Sequence, residues 1–173
     1  MKTFSTATKA FFANEKNNIL ANVAERNLCS QLGYYLKDGM AKTKLKDYHV
    51  DPEYNRNLGN VKTIFDSEEE EVITITCDLL VHSRGEIVPQ DNLLALEMKK
   101  GTHSDAAKND DRKRLRLLTR PSYNGVWAFE GELPEHVCGY ILGVYMELVI
   151  RDRICIFEFY ENGEKTSEKR AKF

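Results

Sequence analysis

The spacing of apolar residues predicts a helix near the start of the chain. Between residues 17 and 38 apolar side chains recur mostly every three to five positions, which is typical of an amphipathic helix. Asn17 or Asn18 would cap its start, and Gly39 stands just past its end. A shorter helix around residues 6 to 13 is expected to precede it.

A further helix is predicted over residues 104–120. Ser104 is a suitable N-cap, and Pro121 cannot continue the helix. Basic residues fill its last turns. Asp110 and Asp111 interrupt this basic surface, and both are expected to pair with Arg114 within the helix.

Strand patterns occupy five segments. Alternating or β-branched apolar residues occur in 47–57, 72–81, 93–99, 140–150 and 154–160. Pro52 makes the first of these an edge or irregular strand. The last two, joined by residues 151–153, predict a hairpin, and the polar stretch 84–92 predicts a turn or loop.

The predicted order is helix, three strands, helix, two strands. That order favours an α/β or α+β fold in which a mixed sheet of about five strands carries helices on its faces. Nothing in the sequence marks a domain boundary, so residues 1–173 are expected to form one domain. Its ends, 1–8 and 164–173, are expected to fray.

Composition limits the functional classes. Hydrophobic residues make up 42% of the chain and charged residues 30%, and the longest apolar runs are too short to span a membrane. The four cysteines form no zinc-binding pattern and are expected to be reduced, buried thiols in a cytoplasmic protein. The net charge of −2 argues against a large nonspecific nucleic-acid surface, although a local basic patch remains compatible with it.

The segment 92–101 carries the chemistry of greatest interest. Strand alternation places Glu97 and Lys99 on one face, and Asp78 lies close to Glu97 if their strands pair. Adjacent carboxylates repel one another unless they share a proton or a cation, and oxygen ligands of this kind suit Mg²⁺ or Mn²⁺. The alternative is a surface ion pair between Glu97 and Lys99 without a function.

These residues resemble a known motif. Asp78 followed by the Glu-Met-Lys segment 97–99 is similar to the Asp…(Asp/Glu)-x-Lys motif of the restriction-endonuclease-like PD-(D/E)xK phosphodiesterases. The family's core, a helix, three antiparallel strands, a helix and a strand, matches the predicted order. Cys77 replaces the motif's proline, and Glu25 occupies the place of a helix acid. Segments of the chain also resemble uncharacterised bacterial proteins of this superfamily.

The resemblance implies a metal-dependent nuclease. Asp78 and Glu97 would bind Mg²⁺ or Mn²⁺, Glu25 would complete the metal shell directly or through water, and Lys99 would position the attacking water. DNA is a more suitable substrate than RNA. Many family members act as homodimers. A binding or regulatory module that kept the fold without turnover, or an unrelated α/β protein, would fit the same residues.

Further polar residues were assigned to substrate binding or to a metal shell. Phosphate contacts are expected from basic side chains near the site, namely Arg56, Lys100, Arg112 and Arg116. Glu53 and Asn55 form an additional candidate site. A solvated helix face or loop explains each of these residues equally simply.

Overall fold

The protein has an α+β fold. The computed structural model describes residues 2–54, 56–57, 60–61, 63–66, 71–74, 76–87, 90–121 and 138–173. The helices in these ranges are α1 (Lys2–Leu20), α2 (Glu25–Ala41) and α3 (Asp105–Thr119). The strands are β1 (His49–Pro52), β2 (Arg56–Asn57), β3 (Asn60–Val61), β4 (Thr63–Asp66), β5 (Glu71–Thr74), β6 (Leu79–His82), β7 (Asn92–Lys100), β8 (Leu142–Val149), β9 (Ile154–Glu161) and β10 (Glu164–Lys172).

Six strands form the main sheet, in the order β1-β6-β7-β8-β9-β10. All neighbours are antiparallel except β7 and β8, which run parallel. A parallel connection needs a crossover, and α3 lies in the chain between these two strands. The segment of chain that connects β1 to β6 contains the short pairs β2-β3 and β4-β5, which form two separate two-stranded sheets.

The helices cover both faces of the sheet. On one face α1 and α2 pack over a cluster that includes Leu94, Leu96 and Met98. On the other face α3 packs over a second cluster that includes Ala95. Alternate residues of β7 thus point into two different cores, as expected of a central strand. Glu97 lies between Leu96 and Met98, so its side chain belongs to the α3 face.

The helix α3 approaches β8 closely at Gly143. A Cβ added at Gly143 would lie 3.0 Å from Thr119 Cγ2 and 3.1 Å from Tyr160 Cβ. There is no room for a larger residue, because protein interiors are close-packed. The glycine therefore lets the C-terminal end of α3 settle on the sheet.

The single helix predicted over residues 17–38 is wrong, because α1 ends at Leu20 and a second helix, α2, begins at Glu25. Asn22 adopts a left-handed conformation with φ 59°. Its N–H donates to Ile19 O over 3.0 Å and the Val23 N–H donates to Asn18 O over 3.2 Å. This pair of bonds is a Schellman helix end, with asparagine in the position that glycine usually fills. α2 then continues through Gly39, which was expected to lie outside the helix.

The single strand predicted over residues 72–81 is also wrong. Residues 71–74 belong to the β4-β5 hairpin, whereas residues 79–82 form β6 of the main sheet. Residues 76–78 between them are not in a strand. The β-branched residues correctly indicate an extended backbone, but they do not indicate which neighbouring strand each half of the segment pairs with.

The C-terminal segment is ordered, contrary to the predicted frayed end. Residues 164–172 form β10, which pairs with β9 along its length. Phe173 is only 8% exposed and stacks on Phe12 at 5.5 Å between ring centroids. The N-terminal end likewise belongs to α1 from Lys2 onward. The charged sequence of β10 is that of an edge strand whose side chains face water, so it lacks apolar alternation.

Most of the remaining elements agree with prediction, but the strand predicted over residues 47–57 is divided into β1 of the main sheet and β2 of a separate sheet. β7, α3 and the β8-β9 hairpin lie where expected, and Ser104 Oγ accepts the Ala107 N–H as a true N-cap. β1 ends at Pro52 on the edge of the sheet. The four cysteines are not joined in disulfides, and Cys138 is only half-buried. No helix in the described ranges is long and apolar enough to cross a membrane.

Candidate active site

The ladder between β6 and β7 brings Asp78 next to Glu97. Leu79 pairs with Leu96, so Asp78, in the bend before β6, lies opposite Glu97. The Asp78 backbone N–H donates to Glu97 Oε2 over 3.4 Å. The Met98 N–H donates to Asp78 Oδ2 over 2.8 Å. The two carboxyl groups predicted to be neighbours are neighbours.

The carboxyl group of Glu97 is buried and holds its proton tightly. Its side chain is 1% exposed. Burial raises the pKa of Glu97 to about 8, and the charge of Asp78 acts in the same direction while that of Arg114 opposes it. The pKa of Asp78 is raised as well, because the effect of burial outweighs the hydrogen bonds from Met98 and Glu97, which act to lower it. At neutral pH the pair therefore retains one proton between two carboxyl groups.

Lys99 points to the same face as Glu97 and contacts α3. Its Nζ lies 3.0 Å from Asp111 Oδ2, and the Asp111 side chain is only 2% exposed. Burial acts to lower the pKa of Lys99, but the hydrogen bond to Asp111 and the charges of Asp111 and Asp78 outweigh it and raise the pKa. Lys99 is therefore a cation at neutral pH. In that state it can orient water or stabilise negative charge, but it cannot act as a general base.

Arg114 is the partner that the sequence did not reveal. Its Nε donates to Glu97 Oε1 over 2.7 Å, and its Nη2 pairs with Asp111 Oδ1. The pair with Asp111 is the one expected from helical spacing. The pair with Glu97 joins α3 to β7, and a contact between elements that lie apart in sequence leaves no periodic signal.

Glu25 lies at the end of β7, at the first position of α2. Its Oε1 accepts the Lys100 N–H over 2.7 Å and lies 3.0 Å from His103 Nε2. Cys29 lies one turn further along α2. Burial raises the pKa of its thiol, and the charges of Asp78, Glu97 and Glu25 add to that effect in this order. Glu25 is thus tied to the end of the strand that carries Glu97.

The donor set suits a hard cation only in part. Among the described residues, no group of three or more His, Cys, Asp or Glu side chains is arranged to hold a metal ion. Asp78 and Glu97 supply two carboxylates, and Mg²⁺ commonly binds one or two carboxylates and completes its shell with water. Arg114 Nε already donates a hydrogen bond to Oε1 of Glu97 in this conformation. The chemistry of the pair fits Mg²⁺ or Mn²⁺, and binding would require the ion to compete with the guanidinium group.

The predicted phosphate-binding residues are differently placed. Lys100 Nζ donates to Asn22 O over 3.0 Å at the rim of the site. Arg112 is held inside the protein by Glu158, with its Nε 3.0 Å from Oε2. Arg116 is exposed on α3, with its guanidinium carbon 5.9 Å from the centre of the Tyr160 ring. Their roles in substrate binding stay predictions.

The additional candidate site is covered in part. Glu53 has a left-handed backbone with φ 50° and pairs with Arg26 over 2.5 Å. Asn55 and the side chain of Arg56 lie outside the described residues. The charge of Glu53 makes a smaller contribution to the raised pKa of the Cys29 thiol than the other three acids do, so its place in a metal shell stays a prediction.

A second charged cluster fastens β1 to β6. Asp51 Oδ2 lies 3.0 Å from His82 Nε2, and Arg84 donates to both oxygens of Asp51 over 2.8 and 2.6 Å. His82 is buried. Arg84 and Gly85 form the expected turn, both with positive φ. The bidentate contact explains why this turn is rigidly tied to the neighbouring strand.

Comparisons with protein-family models, curated proteins and solved structures find no match to this chain. The chain's own residues therefore carry any functional assignment. Asp78, Glu97, Lys99, Asp111 and Arg114 form a group that combines burial, shifted pKa values and the carboxylates and lysine of the predicted motif.

Proposed function

We propose that this protein is a divalent-metal-dependent nuclease that hydrolyses phosphodiester bonds, in DNA more readily than in RNA. The observation that supports it is the juxtaposition of Asp78 and Glu97 across β6 and β7 with Lys99 on the same face. This is the arrangement that the PD-(D/E)xK resemblance requires. The order of α2, β1, β6, β7, α3 and β8 is also compatible with that family's core.

Each residue has a role set by its environment. Asp78 and Glu97 would hold Mg²⁺ or Mn²⁺, which would activate a bound water and stabilise the leaving oxygen. Lys99, held as a cation by Asp111, orients the water and stabilises negative charge on the scissile phosphate. Glu25, fixed at the end of β7, completes the shell directly or through water. Nucleic acid in the cytoplasm is the proposed partner, and a homodimer is the proposed assembly.

A second candidate is a nuclease-fold module that binds nucleic acid without turnover. The contact of Arg114 with the buried Glu97 favours it, because a guanidinium group already occupies a carboxyl oxygen that a metal would bind. A site that has replaced its metal by an arginine would still position the basic residues of α3. The two candidates differ in metal binding and cleavage, both of which can be measured.

The direct experiment is cleavage of plasmid, linear duplex, single-stranded DNA and RNA with Mg²⁺ or Mn²⁺, against the same reactions in EDTA. Glu97→Ala and Lys99→Ala should each reduce the rate by about 100-fold or more, in the range lost when a catalytic electrostatic contact is removed. Glu161→Ala, an exposed carboxylate at the end of β9, is the matched control and should retain activity. Circular dichroism checks that each variant is folded.

The outcomes separate the candidates. Cleavage that depends on metal, Glu97 and Lys99 supports the nuclease. Saturable binding of nucleic acid without cleavage in either metal supports the module. Cleavage that persists unchanged in both alanine variants would rule out this site as its origin.

A further inference from the structure

The last strand of the sheet presents a free edge. β10 lies at one end of the strand order and pairs with β9. Within the described residues no other strand pairs with it. Residues 164–170 are all exposed, and the register from Ser167 to Lys172 is continuous. An edge strand of this kind exposes backbone donors and acceptors that can pair with an additional strand.

An apolar groove lies beside this edge. It has a volume of about 200 Å³ and lies between α1 on one side and β9 and β10 on the other. Its floor is aromatic, with Phe4 and Phe12 from the helix and Phe157 and Phe159 from β9. Phe4 and Phe157 meet edge to face at 6.3 Å, which holds the floor rigid.

The register places the groove on the same face as alternate residues of β10. Lys169 pairs with Phe157, and Ala171 pairs with Cys155, so both point toward α1. Ala171 is small and lines the groove. A residue of an added strand that points to this face would therefore reach the aromatic floor over Ala171, since neighbouring strands lie about 5 Å apart.

The charge at the groove is positive. Lys9 and Lys169 line it, and no acidic side chain does. Lys169 Nζ lies 5.6 Å from the centre of the Phe159 ring. In the described part of the chain, neither lysine forms an ion pair with a carboxylate. Arg170 also lines the groove, and it pairs with Glu168 beside it on β10.

The same charges disfavour a second copy of the chain. β10 carries four basic and two acidic side chains, so a second β10 strand would bring net positive charge to a groove lined by Lys9, Lys169 and Arg170. An acidic partner meets no such repulsion and would neutralise Lys9 and Lys169.

We propose that β10 and the adjacent groove bind an extended acidic segment of another protein. The segment adds to the sheet as an extra strand and places one large apolar side chain on the aromatic floor. A cavity of about 150 Å³ accommodates benzene, so a groove of this size suits one aromatic side chain rather than a larger ligand. Backbone pairing supplies affinity, and the anchor and the charges supply specificity.

The test uses the full chain and fluorescence anisotropy of a labelled acidic peptide that has one central phenylalanine. Saturable binding is expected. Replacing the phenylalanine by alanine, or the aspartates by lysines, should weaken binding by about tenfold or more. Lys169→Glu should weaken it similarly, whereas Lys16→Glu, an exposed α1 charge that does not line the groove, should not.

A second pair of variants tests the groove without altering β10. Ser5→Trp would fill the groove from the exposed side of α1 and should abolish binding, while Ser30→Trp on the surface of α2 serves as the control. Lack of saturable binding up to about 1 mM peptide overturns the proposal. Equal binding of the alanine peptide, or concentration-dependent dimerisation of the chain that Lys169→Glu alters, overturns it as well.

Discussion

Replacing Glu97 by glutamine isolates the consequence of burying its carboxyl group. The amide keeps the shape of the side chain, its oxygen can still accept from Arg114, and its NH₂ can donate to the Asp78 carboxylate. It loses only the long 3.4 Å bond that Oε2 accepts from the Asp78 N–H. The substitution removes the titratable proton of residue 97. Because the contacts are nearly conserved, any pH-dependent difference between the two proteins reports the proton on Glu97.

The sign of the effect follows from the direction of the shift. The pKa of Glu97 is about 8 in the folded protein, against an ordinary value of 4.5. Below pH 4.5 the group is protonated in both states and the stabilisation is fully present. As the pH rises toward 8, the unfolded chain loses its proton first, so stability falls. The loss between pH 5 and pH 8 is about 3 kcal/mol of unfolding free energy, since one pKa unit corresponds to about 1.4 kcal/mol.

Urea unfolding followed by far-ultraviolet circular dichroism, at several pH values between 5 and 8 in EDTA, measures this difference. The native protein should lose about 3 kcal/mol more than Glu97→Gln over that range. Glu161→Gln, which removes an exposed carboxylate, should follow the native curve. Parallel curves for native protein and Glu97→Gln would refute the buried, proton-sharing pair.

The same measurement with Mg²⁺ bears on the proposed function. A cation bound to Asp78 and Glu97 displaces the shared proton, so metal binding should release protons and strengthen as the pH rises. Mg²⁺ should therefore stabilise the native protein more at pH 8 than at pH 6. Glu97→Gln should show a smaller effect at both.

Three other variants test the architecture. Arg114→Met should cost about 1–3 kcal/mol in urea unfolding, because the buried Glu97 and Asp111 side chains each lose a hydrogen bond, while Asp111 keeps its pair with Lys99. A double-mutant cycle with Glu97→Gln should show coupling between the two positions. Gly143→Val should destabilise by about 1–3 kcal/mol, seen as a lower thermal midpoint, because its side chain would overlap Thr119. Phe173→Ala should cost about 3 kcal/mol, whereas a frayed end would tolerate it without a change in thermal midpoint.

The sequence predicts what depends on local pattern and misses what depends on partners. The positions of β7 and α3 are predicted correctly, because the signal for each is local: apolar residues run along β7, and Ser104 caps the start of α3. The helix end at Asn22 was missed because asparagine is a weaker signal than glycine for a left-handed residue. β10 was missed because an edge strand needs no buried side chains of its own.

The candidate site divides in the same way. Alternation along β7 and the position of Asp78 sufficed to predict that two carboxyl groups would meet. The ion pair between Arg114 and Glu97 could not be predicted, because the angle at which α3 crosses the sheet decides it. The charge pattern of α3 predicted its pair with Asp111, but it gave no indication that the guanidinium group reaches Glu97 as well.

The packing of α1 has a consequence for synthesis of the chain. Its aromatic residues Phe4 and Phe12 rest on Phe157, and Phe12 also stacks on Phe173. α1 therefore leaves the ribosome long before the strand that covers it. Until β9 emerges, the main partner of α1 among the described elements is α2. We expect nascent chains stalled before residue 154 to bind chaperones through α1 and full-length chains to release them, a late and nonlocal completion of the core.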